Sequence, residues 1–287
     1  MAVPALEQVA TWPVPHAAAA VVAADGSMLG THGDTGRPFR LASLAKSITV
    51  WAVLVAVEDG SIALDTPIGQ PGCTLRHLLA HAGGYPFEGP QPISPPEQRR
   101  IYSNTGIELA VAATEAATGI PFGPYLAEAV FEPLGMTSSE LRGSPAHAIH
   151  STVDDVVRLL AEWQRPALLA RETAADAVTP QYPNLAGIVP GVGRFDPCPW
   201  GLGFEIRGDK SPHWTGRANS AATYGHFGGA GTVMWVDPDA QCGLVALTDR
   251  PFDDWSIDAM KLWPSLADAV VADVGAGSGD RAGGTSA

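Results

Sequence analysis

The central stretch of the sequence reads Leu41-Ala42-Ser43-Leu44-Ala45-Lys46-Ser47 and continues as an apolar run to Asp59. Gly60 follows and supplies the stop for a helix over this run. Because the run is apolar nearly all round, we expect the helix in the middle of the protein. Residues three positions apart share a helix face, so the Ser43 hydroxyl and the Lys46 amine can meet there.

This serine and lysine can carry chemistry. A lysine without full solvation has a lowered pKa and can act as a base toward a serine. A serine at a helix start also turns its own backbone N–H toward a developing oxyanion. Taken alone, the pair is equally consistent with a capping serine and a lysine that extends to solvent.

A second polar motif, Tyr102-Ser103-Asn104, stands just before the next strong helix signal. A phenol beside a lysine ammonium can lose its proton and serve as a general base. The Asn104 amide can hold both the lysine and a substrate carbonyl. In isolation, a packed tyrosine and a helix-capping asparagine explain these residues as well.

The third motif, Tyr224-Gly225-His226-Phe227-Gly228-Gly229-Ala230-Gly231-Thr232, places four glycines around an apolar strand. Glycines at such positions indicate that the backbone comes close to another group. On its own, the segment is also typical of a glycine-rich hairpin.

Together, in this order and spacing, the motifs resemble the serine β-lactamase and penicillin-binding protein superfamily. The similarity is greatest to the class C β-lactamase-related branch, which includes the family VIII carboxylesterases. The family motifs Ser-x-x-Lys, Tyr-x-Asn and Lys/His-x-Gly are matched by Ser43 with Lys46, Tyr102 with Asn104, and His226 with Gly228. Further segments agree across residues 15–272: Thr74–His81, Phe131–Thr137, Ser151–Asp155 and Trp200–Phe204.

The resemblance implies covalent acyl transfer by an enzyme. Ser43 would attack a carbonyl, Lys46 and Tyr102 would move its proton, and the acyl-enzyme would then be hydrolysed. The three groups are expected within mutual hydrogen-bond reach.

The remaining site residues have supporting roles in this interpretation. The backbone amides of Ser43 and Gly229 would form the oxyanion hole. Asn104 would orient Lys46, and His226, next to Gly228, would hydrogen-bond near Tyr102.

The third motif departs from the family's usual Lys-Thr-Gly or Lys-Ser-Gly. His226 is weakly charged at neutral pH and Phe227 has no hydroxyl, so a substrate carboxylate lacks partners there. We therefore expect a carboxylesterase-like hydrolase of a small ester or amide. Two alternatives stay open: a true β-lactamase or D,D-carboxypeptidase, and a non-catalytic ligand-binding sensor of the same fold.

Strand patterns occur near both chain ends, and helices and loops occupy the middle. This order predicts an α+β fold of the β-lactamase and D,D-peptidase kind: an antiparallel sheet built from both ends and flanked by helices, with an inserted all-helical lobe. Residues 1–65 and 198–273 would form the α/β lobe, residues 66–197 the helical lobe, and residues 274–287 a disordered glycine-rich tail.

The composition of the chain argues for some classes of binding partner and cellular compartment and against others. Thirty acidic against seventeen basic residues give a net charge of −13, which argues against nucleic acid. No run approaches the length of a membrane span, no basic leader opens the chain, and three scattered cysteines fit a reducing compartment. We expect a cytoplasmic protein with a small-molecule substrate and no cofactor. His77 and His81 are interpreted as buried structural histidines, so no metal site is predicted; the oligomeric state is left open.

Overall fold

The computed structural model describes residues 3–282 of the chain. Its strands are β1 (Ala17–Ala23), β2 (Met28–His32), β3 (Phe39–Arg40), β4 (Glu140–Leu141), β5 (Ile149–Ser151), β6 (Gly187–Val189), β7 (Gly193–Phe195), β8 (Glu205–Ile206), β9 (Tyr224–Gly228), β10 (Thr232–Asp237) and β11 (Cys242–Thr248). Its α-helices are α1 (Ala45–Glu58), α2 (Leu75–Leu79), α3 (Asn104–Thr118), α4 (Phe122–Leu126), α5 (Glu132–Leu134), α6 (Val153–Gln164), α7 (Arg171–Ala177) and α8 (Ser256–Ala282).

A six-stranded antiparallel sheet forms the main layer, in the order β2-β1-β11-β10-β9-β8. The two chain ends meet in it, because β1 pairs with β11 from Ala17 opposite Thr248 to Ala23 opposite Cys242. The predicted α+β class and the sheet built from both ends are confirmed.

The two faces of this sheet cover separate cores. In β1, Ala18, Ala20 and Val22 pack with α1 and α6, whereas Ala19 and Val21 pack with α8. This alternation follows from the two-residue period of a strand. The β1 sequence is apolar throughout because both of its faces are buried.

Helix α1 lies between the sheet and the helical lobe, and its residues from Ala45 to Leu54 are buried. A 3₁₀ turn over Ala42–Leu44 leads into it. Burial on all sides agrees with the apolar composition of this segment. The turn that leads into α1 contacts β9 and β10 of the sheet.

The inserted lobe contains α2 to α5, α7 and a π-helical turn over Ala127–Phe131. It also contains the short strands β4 to β7, which the expectation of an all-helical lobe did not include. Strands β6 and β7 pair as an antiparallel hairpin, with Gly187 opposite Phe195 and Val189 opposite Gly193.

Helix α6 packs on the sheet against β1 and β11, although the sequence places it within the helical lobe of residues 66–197. Its apolar face, with Val156, Leu159 and Leu160, covers the sheet there. The residue that caps the start of α6 is Thr152, whose Oγ1 accepts the Asp155 N–H at 3.2 Å.

Helix α8 continues through Ala282, past residue 274, where the composition predicts the start of a disordered tail. Val274 is buried in the second core, and the neighbouring Asp273 accepts the Ala5 N–H at 2.8 Å. These contacts hold the helix at the point where the tail was expected to begin. The final residues, 283–287, lie outside the described part. None of the helices described combines the length and the apolar character that crossing a bilayer requires.

Candidate active site

Ser43 lies in the turn that precedes α1, where the backbone adopts an uncommon conformation. Ala42, the residue before it, has φ of 49°, a left-handed value that side chains other than glycine rarely adopt. The Thr232 hydroxyl donates to Leu41 O at 2.8 Å and ties this turn to β10. The serine is thus presented on a strained turn fixed by the sheet.

The close packing around Gly228 explains why the third motif ends in glycine. A Cβ at this position would lie 2.4 Å from Leu41 O and 3.2 Å from Ala42 Cβ. Only glycine lets the end of β9 approach the turn that carries Ser43. Gly229, next along the chain, has open space where a Cβ would stand and lines the same cavity as Ser43. The geometry thus places Gly229 beside Ser43, where the resemblance puts the second oxyanion-hole amide.

Lys46 is wholly buried, and its ammonium or amine group has three neighbours. Its Nζ donates to Ser43 Oγ at 3.3 Å and to Ala146 O at 3.0 Å, and it lies 4.7 Å from the centre of the Tyr102 ring. Burial lowers the pKa of Lys46 to about 7, although the more distant carboxylates of Glu88 and Glu108 act in the opposite direction. A large neutral fraction at physiological pH equips this amine to accept a proton.

Tyr102 places its hydroxyl in the interior. Oη is buried, and among the described residues no group meets hydrogen-bond geometry with it. Burial raises the pKa of Tyr102 above its ordinary value, and the nearby Ser43 hydroxyl opposes only part of that rise. Of the three mutual hydrogen bonds expected among Ser43, Lys46 and Tyr102, the lysine–serine contact is present. The phenol is therefore neutral in the resting protein and retains its proton.

Asn104 is bonded differently from the expectation. Its Nδ2 donates to Glu88 Oε1 at 2.6 Å, and its Oδ1 is buried without a partner in the described chain. The hydrogen bonds of Lys46 go to Ser43 and Ala146, so an orienting bond from Asn104 to Lys46 is absent. The Nδ2 group is held by Glu88, 16 residues earlier, on a loop that the sequence pattern does not place here.

His226 also differs from its expected contact. Its Nδ1–H donates to Phe227 O at 2.6 Å, and its Nε2 is buried without a partner among the described groups. Its ring centre lies 5.5 Å from that of Tyr102, which is a packing contact. Burial first, and Lys46 second, lower the pKa of His226 to about 4, so the ring is neutral at pH 7.

His81 holds the backbone on both sides of Tyr102, a role that the sequence did not indicate. Its Nδ1 accepts the Ser103 N–H at 3.2 Å and its carbonyl accepts the Ile101 N–H at 2.9 Å. Both chain neighbours of the tyrosine are therefore held by one residue. Trp200 packs against the same rings, 4.9 Å from His81 and 5.6 Å from Tyr102.

Neither His77 nor His81 has the surroundings of a metal ligand. Both are buried, as interpreted from the sequence, and His77 contacts Thr74 and Glu97 instead. Within residues 3–282, no group of three or more histidine, cysteine or acidic side chains is arranged to hold a metal ion.

Ser43, Tyr102, His226 and Gly229 line a cavity of about 220 Å³. Its ionisable lining besides Tyr102 and His226 is acidic, with Glu205 and Asp253. The Phe227 ring forms part of the wall and packs on Phe252 in the second core. A chamber of this size suits the reacting carbonyl and a few atoms on either side of it.

Glu205 was not singled out from the sequence, yet it belongs to a buried charged cluster behind the cavity. Its carboxylate lies 3.3 Å from Lys210 Nζ and 3.0 Å from His213 Nε2, and it accepts the Trp214 Nε1–H at 2.7 Å. Burial alone would raise the pKa of Glu205, but these partners outweigh it and hold the pKa at about 2. The partners come from a loop whose contact with β8 has no local sequence signal.

Comparison with known proteins places the chain among relatives. A family model described as Beta-lactamase matches residues 14–263. A solved Mycobacterium bovis protein described as a beta-lactamase is 49% identical, with a TM-score of 0.91 over 94% of this chain and 99% of that one.

More distant proteins share the fold. A mutant of simvastatin synthase from Aspergillus terreus superposes with a TM-score of 0.78 at 19% identity, over 94% of this chain and 97% of that chain. Penicillin-binding protein 4* of Bacillus subtilis is 27% identical over 40% of this chain. That alignment spans only 34% of the curated relative's length.

Proposed function

The chain belongs to the beta-lactamase family of serine hydrolases, and from this premise we propose that it hydrolyses small esters or amides through an acyl-enzyme on Ser43, as a carboxylesterase does. The observation that carries the proposal is the contact between Ser43 Oγ and a buried Lys46 amine whose pKa is about 7. A base with a pKa near the operating pH combines the correct protonation state with adequate strength.

In the first half of the reaction, Lys46 takes the Ser43 proton as Oγ bonds to the substrate carbonyl carbon. The carbonyl π electrons move to the oxygen, and the amides of Ser43 and Gly229 stabilise the oxyanion. When the tetrahedral intermediate collapses, the bond to the leaving group breaks. The departing oxygen or nitrogen receives a proton from the neutral Tyr102, which is restored by the Lys46 ammonium.

In the second half, water attacks the ester carbon of acylated Ser43. Lys46 accepts the water proton as the new carbon–oxygen bond forms. Collapse expels Ser43, which takes a proton back from the ammonium, and the acid product leaves. Both halves thus use the same pair, with the lysine alternating between its two protonation states.

The substrate preference rests on the charges around the cavity. His226 is neutral at pH 7 and Phe227 has no hydroxyl. The remaining ionisable lining residues are acidic: Asp253, and Glu205, whose charge is offset by Lys210. A β-lactam carboxylate placed beside the third motif would be desolvated without a partner, which costs roughly 2–5 kcal/mol. An ester makes no such demand.

A β-lactamase or penicillin-binding activity is the second candidate. The 49% identity to a protein described as a beta-lactamase favours it. The two candidates differ in one measurable ratio, kcat/KM for nitrocefin against kcat/KM for p-nitrophenyl butyrate at pH 7.

The test combines active-site labelling with a substrate panel. Wild type should react with a fluorophosphonate probe and hydrolyse p-nitrophenyl butyrate better than nitrocefin, and Ser43→Ala should lose both reactions at an unchanged circular dichroism spectrum. The exposed-serine variant Ser61→Ala is the matched control. Turnover retained in folded Ser43→Ala would refute the nucleophile, a nitrocefin preference would favour the β-lactamase, and labelling without turnover would favour a ligand-binding sensor.

A further inference from the structure

A second cavity, of about 340 Å³, adjoins the reactive one. Phe87, Tyr102 and Pro190 line both cavities. The remaining lining of the second cavity comes from Pro86, Ile93, residues 99–101, Ala186 and the β6–β7 hairpin. We call this second cavity the hairpin groove; its lining is mainly apolar.

Most of the large apolar side chains that are exposed in the described chain lie around the hairpin groove. Five large apolar residues are exposed in the described chain, and three of them line this groove: Phe87, Ile93 and Ile188, at 51%, 55% and 58% exposure. Isolated exposed residues of this kind are ordinary, but a group around one groove marks a binding surface. Its position beside the cavity lined by Ser43 favours part of the substrate as its occupant.

The groove is preformed by a rigid support. Arg100 is buried, and its guanidinium donates to Cys198 O at 2.9 Å and Gln181 O at 2.7 Å. Its backbone N–H donates to Ala186 O at 2.8 Å, next to Gly187, where a Cβ would lie 2.7 Å from Arg100 Cβ. These contacts fix the hairpin beside Tyr102, so little ordering is needed when a ligand binds.

Charge is separated between the two cavities. Arg99 and Arg194 line the hairpin groove, are exposed, and take part in none of the ion pairs formed within residues 3–282. The lining of the reactive cavity instead includes the acidic Asp253 and Glu205, the latter paired with Lys210, and, among the described residues, no arginine or lysine. In a chain of net charge −13, two unpaired arginines on an apolar groove are complementary to an anion.

We propose that the hairpin groove binds an apolar arm of the substrate, and that Arg99 and Arg194 bind an anionic group carried by that arm. The substrate class is therefore an amphiphilic ester or amide, uncharged at the reacting carbonyl and negatively charged away from it. This inference rests on the proposed function of Ser43 and narrows its substrate.

The first experiment varies the arm. p-Nitrophenyl esters from acetate to octanoate extend the acyl side, and alkyl acetates of the same lengths extend the alcohol side. In at least one series, kcat/KM should rise about tenfold or more from the shortest to the longest member. Ile188→Ser should lower this long-to-short ratio about fivefold, whereas Ile257→Ser, which removes an exposed isoleucine elsewhere, should leave it unchanged.

The second experiment varies the charge. An octanedioate mono-p-nitrophenyl ester should be a better substrate than its methyl-capped form, and Arg194→Gln should abolish the difference. Arg171→Gln, at an exposed arginine outside the groove, is the control. A methyl-capped form that reacts as fast in wild type, or an equal response of both arginine variants, would overturn the anion site.

The binding role of the hairpin groove and the hydrolase activity of Ser43 can be refuted separately. Flat kcat/KM across both length series, or equal ratios in Ile188→Ser and Ile257→Ser, would overturn the groove while Ser43-dependent hydrolysis stands. If no ester turns over, calorimetric binding of octanoate to wild type decides: binding weakened about fivefold by Ile188→Ser supports the groove, and no binding at millimolar octanoate overturns it.

Discussion

Two of the three lysines, Lys46 and Lys210, are buried. Their different surroundings distinguish a proposed catalytic lysine from a structural one. Lys210 lies 3.3 Å from the Glu205 carboxylate and also donates to Pro199 O and Ile206 O. Lys46 is buried as deeply, but in the described chain no carboxylate is within ion-pair distance of its Nζ. The charge of a buried lysine is thus compensated by a carboxylate at position 210 and is not compensated at position 46.

The difference has a direct physical consequence. Removing a charge from water costs several kcal/mol unless a counter-charge and hydrogen bonds offset the loss. At Lys46 the protein avoids the cost by releasing the proton, which lowers the pKa to about 7 and leaves an amine beside Ser43. Lys210 instead serves to neutralise Glu205 behind the cavity.

The largest effect should come from Lys46→Met. Because methionine cannot accept the Ser43 proton, kcat/KM for p-nitrophenyl butyrate should fall by about 10²–10⁴. A loss below about tenfold, measured on folded variant, would show that another group acts as the base.

The same variant should be at least as stable as wild type. The folded pKa of Lys46, about 7, lies below its ordinary 10.5, so the unfolded chain binds more protons between these values. The contribution of Lys46 to unfolding free energy therefore rises with pH from about 7 to 10.5. The stability gained by Lys46→Met should be greatest below pH 7 and vanish near pH 10.5 in urea denaturation.

Lys210→Met should show the opposite pattern. It leaves Glu205 buried without its main cation, which should lower the free energy of unfolding by about 3–5 kcal/mol. Activity per folded molecule should change by less than about tenfold. The double variant Glu205→Gln/Lys210→Met should recover most of the stability; a single variant within 1 kcal/mol of wild type would contradict the distinction between the two lysines.

The pH dependence of turnover gives a smaller effect. Because Lys46 must be neutral to accept a proton, kcat/KM should increase about tenfold per pH unit below pH 7 and then level off. His226, with a pKa near 4, is already neutral over this range. A profile flat between pH 5 and 8 would contradict the lysine base.

The smallest change is expected from Glu108→Gln. The Glu108 carboxylate raises the pKa of Lys46 from a distance, so its removal should move the acid limb of the profile down by a few tenths of a pH unit. The amide can keep the hydrogen bond from Ser144 Oγ that the carboxylate accepts at 2.5 Å. Glu172→Gln, an exposed acid on α7, is the control.

Short-range patterns predicted much of this molecule. The three-residue spacing of Ser43 and Lys46 fixes their shared helix face, and the apolar run around them fixes the burial that lowers the pKa of the lysine. The strand periodicity near both chain ends predicted the sheet. Gly228 was expected at a close backbone approach, and the carbonyl it meets is Leu41 O.

Contacts between distant segments were not predictable in the same way. Asn104 bonds to Glu88 and Lys46 to Ala146 O because loops far along the chain meet at the site. The position of Glu205 among Lys210, His213 and Trp214 depends on how a loop folds onto β8. Such choices are made by tertiary packing, which leaves no periodic signal in the sequence.

The proposed role of Lys46 as the base depends on its pKa, which can be measured without turnover. Protein carrying ¹³C at lysine Cε gives signals from Lys46, Lys210 and Lys261 alone, and Lys46→Met identifies the first by its loss. We expect the Lys46 signal to titrate with a midpoint near pH 7. A midpoint above about 9 would leave the lysine protonated at neutral pH and would contradict its role as the base for Ser43.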